Sequence, residues 1–196
     1  MNFELTESDI FLIRVKEICF GTATIEMVLG DHTIEFMPSY MGREPLTTLI
    51  DSLNEFELED LDDFTVTWAD EPGCWKIELK YDRQNSRLDM EIFHYDDDID
   101  FNAERKGVKD MEHSVSMPYK KYHDEVIKTV LCSLKKYGLN GLNGNWCDGT
   151  DSFAINGLMR LLGTELNFDN DSDECYSDIF AELDILKNAL ERVKEI

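Results

Sequence analysis

The amino-acid sequence predicts an α+β fold, with strands in the first half of the chain and helices in the second. Two observations carry this prediction. Apolar and polar residues alternate in three successive runs between residues 64 and 93, whereas apolar residues recur every three or four positions after residue 117. Strands that come first and helices that follow favour α+β over a parallel arrangement of alternating strands and helices.

The three alternating runs predict an antiparallel meander, because short turn-like segments separate them. The first turn is Asp70-Glu71-Pro72-Gly73 and the second is Gln84-Asn85-Ser86. Earlier in the chain, Gly30-Asp31 lies between two β-rich runs and predicts a hairpin. We therefore expect one antiparallel sheet of about five strands in residues 1–100. The residues expected on its buried face are Phe64, Val66, Trp68, Trp75, Ile77, Leu79, Tyr81, Leu88, Met90 and Ile92.

One helix, near residues 45–56, is expected between these strands. Pro45 suits the first position of a helix, where its missing N–H leaves no hydrogen bond unmade. The apolar residues that follow at helical spacing are Leu46, Leu49, Ile50, Leu53 and Phe56. The spacing predicts a helix that packs on the sheet with its acidic residues outward.

The second half of the chain predicts a helical layer. Pro118 opens a long helix that Gly138 is placed to end, Asp151 can cap a shorter helix, and a last helix starts at about Glu174. The polar segment before Pro118 has no clear period and is expected to be a connection. The predicted organisation is a single domain, 1–196, made of a strand-rich half 1–100, the connection 101–116 and a helical half 117–196.

Composition limits the classes of protein to which the chain can belong. Hydrophobic residues make up 42% of the sequence and aromatic residues 11%, which is enough to build a core. The start of the sequence lacks the pattern of a secretory signal, and no apolar run is long enough to span a membrane, so we expect a cytoplasmic protein. The five cysteines are scattered and form no Cys-x-x-Cys pair, so neither disulfides nor a zinc site are predicted.

Negative charge is the strongest functional signal in the sequence. The formal net charge is −23, and residues 51–100 contain seventeen acidic residues against four basic ones. Such a field repels nucleic acid and attracts basic proteins. We therefore predict a basic protein as the partner, and no nucleic acid or membrane. The residues predicted to bind this partner are Glu57, Glu59, Asp60, Asp62, Asp63, Asp96, Asp97, Asp98 and Asp100.

Two other kinds of site stay open. The run from Asp96 to Asp100 offers oxygen ligands for a divalent cation, although a charged edge or loop is the simpler interpretation. The glycine- and asparagine-rich segment 138–149 has the composition of a ligand loop for a small enzyme, although a structural loop is favoured. Its candidate ligand-binding residues are Asn143, Asn145, Trp146 and Asp148. No catalytic motif occurs, so no catalytic residue, resident metal or cofactor is predicted.

Part of the chain resembles a group of uncharacterised bacterial proteins. The resemblance lies in Ser39-Tyr40-Met41-Gly42-Arg43-Glu44-Pro45-Leu46 and in Glu71-Pro72-Gly73 before a strand, and it covers about residues 18 to 95. The pattern residues are Tyr40, Gly42, Pro45, Glu71, Pro72, Gly73 and Trp75, and all but Glu71 have a structural explanation. Small acidic proteins of this type are similar to immunity proteins that neutralise bacterial toxins. The pattern itself implies no function. The segregated charge, together with this likeness of type, predicts a non-enzymatic, immunity-type binding protein.

Overall fold

The fold is described from a computed structural model, which defines residues 6–7, 10–19, 21–39, 44–70, 73–95, 109–145 and 153–163, together with positions 187 and 191. The described part of the chain is α+β, as the sequence predicts. Its elements in chain order are β1 (Thr6–Glu7), β2 (Phe11–Cys19), β3 (Thr22–Leu29), β4 (His32–Phe36), α1 (Pro45–Glu57), β5 (Asp63–Asp70), β6 (Gly73–Asp82), β7 (Arg87–Tyr95), β8 (Lys109–Pro118), α2 (Tyr119–Asn145) and α3 (Phe153–Leu162).

The strands form two sheets, so the prediction of a single sheet of about five strands was wrong. The large sheet has the order β1-β8-β7-β6-β5, and the small sheet has the order β2-β3-β4. All pairs are antiparallel except β1 with β8. The predicted meander is confirmed as β5-β6-β7, and the predicted hairpin at Gly30-Asp31 joins β3 to β4. Alternation in a sequence indicates which face of a strand is buried, but not which strands pair.

Strand β8 occupies half of the segment 101–116 that was predicted to be a connection. That prediction was wrong for residues 109–116, which pair with β7 in an antiparallel register. Val115 and Met117 point into the core and are almost completely buried. Apolar residues are few in β8, so pairing with an already formed neighbour defines this strand more than its own pattern does.

Helix α1 lies at the predicted position but is buried on more sides than expected. Ten of its thirteen residues are buried, including polar ones. It packs against β5, α2 and α3. Three hydrogen bonds join it to these elements: Trp68 Nε1 donates to Thr48 Oγ1 (2.8 Å), the Ser52 and Tyr122 hydroxyls share a hydrogen bond (2.7 Å), and Asn54 Nδ2 donates to the Gly157 carbonyl (3.1 Å). Asn54 is therefore buried between α1 and α3.

Side chains of α2 cover the outer edge of β2. Four hydrogen bonds do this: Glu125 accepts from the Ile13 N–H (3.1 Å), Thr129 Oγ1 donates to the Ile13 carbonyl (3.2 Å), Lys136 Nζ donates to the Lys16 carbonyl (2.7 Å), and the Tyr137 hydroxyl accepts from the Ile18 N–H (3.0 Å). An uncovered edge strand invites pairing with another chain. The helix thus satisfies backbone groups of β2 that a further strand would otherwise pair with.

The sequence predicts where both described helices of the second half lie, but not the full length of the first. The predicted shorter helix is confirmed as α3, whereas the helix expected from about Glu174 lies outside the described residues. Helix α2 begins one residue after Pro118, and Gly138 interrupts it with a φ of 70° and a ψ of 172°. Among the helices that the structure describes, none combines the length and hydropathy needed to cross a membrane.

Helices α1 and α3 approach so closely that residue 157 has no room for a side chain. A Cβ atom at Gly157 would lie 2.5 Å from Ile50 Cγ2, and Ile50 is fully buried. We expect Gly157→Ala to lower the free energy of unfolding by about 1–3 kcal/mol, because the two helices must separate. Chemical denaturation measures the change.

A double-mutant cycle with Ile50→Ala tests this cause. Removing the Ile50 side chain removes the atom that a new Cβ would meet, so Gly157→Ala should cost less in the Ile50→Ala background. Equal costs in the two backgrounds would show that close helix packing is not the reason.

The carboxyl group of Glu44 caps the N-terminus of α1. It accepts hydrogen bonds from the Leu46 N–H (3.0 Å), the Thr47 N–H (2.7 Å) and Thr47 Oγ1 (2.6 Å). Burial nevertheless raises the pKa of Glu44 above its ordinary value of 4.5. A raised pKa in the folded state means that folding favours the protonated form, so this stability is present at low pH and is lost as the pH rises above about 4.5.

Glu44→Gln removes this titration while keeping one acceptor oxygen. We expect the unfolding free energy of the wild type, relative to that of Glu44→Gln, to fall as the pH rises from 4.5. Urea denaturation of both proteins across the acidic range measures the difference, in which the titration of all other groups cancels. A difference that stays constant or rises with pH contradicts the expectation.

Candidate functional site

The acidic residues that follow α1 form a folded loop on the surface, here called the acidic loop (residues 57–63). The loop turns back on the end of the helix: the N–H groups of Leu58 and Glu59 both donate to the Asn54 carbonyl, at 2.8 and 3.2 Å, and the Leu61 N–H donates to the Glu55 carbonyl at 3.0 Å. Asp60 has a φ of 58°, which is unusual for a residue other than glycine. The loop therefore has a defined conformation.

Arg83, from the connection between β6 and β7, holds the acidic loop from inside. Its guanidinium donates to the Phe56 carbonyl (2.7 Å), to the Leu61 carbonyl (2.8 Å) and to Asp62 Oδ1 (2.7 Å). It also lies 3.2 Å from Asp60 Oδ1. Partial burial lowers the pKa of Arg83, but its hydrogen bond to Asp62 and the nearby carboxylates raise that pKa overall. One side chain thus ties the end of α1 to the loop.

Three further contacts hold the start of the loop. Glu57 Oε1 accepts a hydrogen bond from the Tyr119 hydroxyl at 3.0 Å and lies 3.4 Å from Nε2 of the buried His123. Burial, followed by the negative charge of Glu57, raises the pKa of Tyr119. Glu59 forms an ion pair with Arg160 of α3. The predicted partner-binding residues therefore differ: Glu57 is held against α2, whereas Asp63 is exposed and makes no ion pair within the described ranges.

Two leucines project from this acidic frame. Of the large apolar side chains that the described residues leave exposed, two are Leu58, at 44% exposure, and Leu61, at 47%. The loop carries five acidic residues, and Arg83 and Arg160 pair with three of them. The surface around Leu58 and Leu61 therefore remains negatively charged, and the two leucines provide apolar contact area on it. The acidic residues were predicted from the sequence but the leucines were not, although both are visible in Glu57-Leu58-Glu59-Asp60-Leu61-Asp62-Asp63.

The other predicted site residues are described only in part. Asp96, Asp97, Asp98 and Asp100 lie outside the described residues. The segment 138–149 was predicted to be a loop, but it is helical through Asn145 apart from the break at Gly138. That prediction was wrong for these residues, whereas Trp146 and Asp148 are not described. The polar composition hid a short helical continuation, because glycine and asparagine are weak helix formers.

The residues of the bacterial pattern have structural roles where they are described. Pro45 is the first residue of α1, and Gly73 is the first residue of β6. Trp75 is buried, its Nε1 donates to Asp70 Oδ2 at 2.8 Å, and its ring lies 4.8 Å from that of Phe36. Tyr40, Gly42, Glu71 and Pro72 lie outside the described residues.

Groups that could carry other chemistry are few in the described part of the chain. There, no three His, Cys, Asp or Glu side chains converge on a point that could hold a metal ion. A groove of about 250 Å³ runs between β2 and α2, and its lining includes Arg14, Lys128 and Lys136. A pair of histidines, His32 and His113, lies where the two sheets meet, with ring centroids 5.5 Å apart. Burial, and then the neighbouring His32, lowers the pKa of His113.

Comparison with protein-family models, curated proteins and solved structures found no match for this chain. The described residues define the chain as an α+β protein with two sheets, three helices and an acidic loop that is held by hydrogen bonds. The bacterial resemblance stays a prediction.

The guanidinium group of Arg83 is expected to be essential for the conformation of the acidic loop. Lysine keeps the charge but cannot reach two carbonyls and a carboxylate at once. We expect Arg83→Lys to lower the free energy of unfolding by about 1–2 kcal/mol and to speed amide exchange at Leu58 and Leu61. Hydrogen exchange and chemical denaturation measure these two effects.

Arg14→Lys is the matched control, because Arg14 is an exposed strand arginine whose one ion pair among the described residues is with Glu26, at 3.0 Å. A single surface ion pair contributes little, so this variant should change stability by less than about 0.5 kcal/mol. Unchanged amide exchange in the Arg83→Lys loop would show that Arg83 does not hold it.

Proposed function

We propose that this protein is a non-enzymatic binding module whose acidic loop engages a basic protein. The observation that carries the proposal is the exposure of Leu58 and Leu61 within a frame of carboxylates. Protein interfaces combine apolar anchors at the centre with a polar or charged rim. The acidic loop has both parts in seven residues. An acidic run alone would lack the apolar anchor, and an exposed leucine alone would lack the charged rim.

The rigidity of the acidic loop supports the same function. Binding costs free energy when a flexible segment must be ordered, and a loop that already has its bound conformation avoids this cost. Arg83 joins the end of α1 to the loop through two carbonyls and a carboxylate, so the positions of the two leucines are defined before a partner arrives. We infer that the partner meets a preformed surface.

Charge supports the choice of a basic partner. The chain has a formal net charge of −23, and a field of this sign speeds the encounter with a positively charged surface. Pairing of Asp60 and Asp62 with Arg83 fixes their positions but leaves them at the surface, since their side chains are 88% and 63% exposed. Asp60 and Asp62 can therefore contact a partner around the leucines while they keep their ion pairs with Arg83.

An immunity-type role is the finer form of this proposal. A small, strongly acidic protein with a rigid recognition loop has properties that suit the neutralisation of a basic toxin. The likeness of small acidic proteins of this type to immunity proteins supports it by type alone. In this role the protein would bind the toxin and catalyse nothing, and the second acidic segment, Asp96 to Asp100, would extend the surface.

The test is a pull-down from the native host at low salt, with the wild type, Leu58→Ala/Leu61→Ala and Met37→Ala as baits. Met37 is the matched control, because its side chain is 59% exposed but lies outside the acidic loop. We expect the wild type and Met37→Ala to recover the same basic protein, and the double variant to recover it at least tenfold less. Recovery should fall as salt is added.

The outcomes distinguish the proposal from its rivals. Circular dichroism confirms first that each bait is folded. Equal recovery by the double variant and Met37→Ala would exclude the acidic loop as the binding surface. A partner that is acidic, or one whose recovery does not depend on salt, would contradict the electrostatic part of the proposal.

A further inference from the structure

Two histidines from different sheets face each other at the boundary between the sheets. His32 is the first residue of β4 in the small sheet, and His113 lies in β8 of the large sheet. Their ring centroids are 5.5 Å apart and their planes are inclined by 54°. The His32 side chain is 63% exposed and His113 is half-buried, so the pair opens to solvent. Distant parts of the chain thus bring two imidazoles together.

Their separation fits a shared metal ion. An imidazole nitrogen binds zinc at about 2.0–2.1 Å, which puts the ion about 3.2 Å from the centre of the ring. Two rings on a tetrahedral ion then have centres about 5 Å apart. The observed 5.5 Å is close to this value. The His32 side chain is mostly exposed, so its ring has room to turn toward an ion beside His113.

A carboxylate is in position to orient one of the rings. Asp31 Oδ1 lies 3.4 Å from His32 Nε2. Histidines that bind metal commonly direct their second nitrogen at a carboxylate, which sets the tautomer and strengthens the ligand. A hydrogen bond from Nε2 to Asp31 would leave the Nδ1 atom of His32 for an ion. His32, Asp31 and His113 thus offer a metal ligand, a nearby carboxylate to orient it and a second ligand.

We propose that His32 and His113 together bind one divalent transition-metal ion of the zinc class, with water in the other coordination positions. Imidazole ligands favour zinc, copper and nickel over calcium and magnesium, which prefer oxygen. Since no third protein ligand converges here in the described ranges, the site is open and exchangeable. It is independent of the acidic loop. A bound ion would bridge the two sheets and stabilise the folded state.

Zinc binding by the full-length, tag-free protein tests this proposal after treatment with a chelator. Isothermal titration with zinc chloride should show one site in the wild type that is at least tenfold weaker in His32→Ala and in His113→Gln. Zinc should raise the melting temperature of the wild type more than that of either variant, whereas calcium and magnesium should not. Asp31→Asn should weaken binding less than the loss of a ligand does.

Thr33→Ala is the matched control, because Thr33 is an exposed neighbour of His32 on β4 and is not a ligand. It should bind zinc like the wild type. His32 is mostly exposed, so His32→Ala keeps the fold, and circular dichroism verifies this. Zinc binding of equal affinity in the wild type and both histidine variants would overturn the proposal, because acidic or cysteine side chains elsewhere would then hold the ion. Absence of binding in the wild type would overturn it equally.

Discussion

Burial of α1 on nearly all of its sides is the constraint on which the rest of the structure depends. The helix packs against β5, α2 and α3, so its polar residues cannot turn to water. Thr48, Ser52 and Asn54 each make a hydrogen bond to a different neighbour. A buried polar group without a partner would cost about 1–3 kcal/mol. These bonds therefore define how the sheet and the two other helices are placed around α1.

The same helix fixes the position of the acidic loop. Its last residue, Glu57, accepts a hydrogen bond from Tyr119 of α2, and Arg83 of the connection between β6 and β7 donates to the Phe56 carbonyl. Helix α2 and this connection thus determine, with α1 itself, where the loop starts. Three of its carboxylates pair with Arg83 or Arg160, and these ion pairs hold the loop in its conformation. Formal charge alone would not have shown which acids are held and which are exposed.

The sequence predicts the local elements well and their assembly poorly. Pro45 and the apolar spacing after it locate α1, and Gly30-Asp31 locates a hairpin, because these signals lie within a few residues of one another. The division into two sheets depends on contacts between distant residues, and alternation does not encode them. Strand β8 was missed for the same reason: it is defined by its partner β7, and its apolar residues are few.

The candidate sites show the same division between local and distant information. The acids of residues 57–63 are adjacent in the chain, so composition alone indicated them. Arg83 is distant in sequence from the carbonyls that it binds, and His32 is even further from His113, so no spacing rule could pair them. Sequence reasoning thus finds sites made from one segment and misses sites that the fold assembles.

Protection of the β2 edge favours the acidic loop over this edge as the surface that a partner would contact. Backbone pairing at β2 is opposed by the side chains of Glu125, Thr129, Lys136 and Tyr137, which already occupy its outward hydrogen-bonding groups. A partner that added a strand there would first have to displace them. Contact through Leu58 and Leu61 requires no internal bond to break, since both side chains already face solvent. Recognition by side chains at a preformed loop is therefore less costly than strand addition at β2.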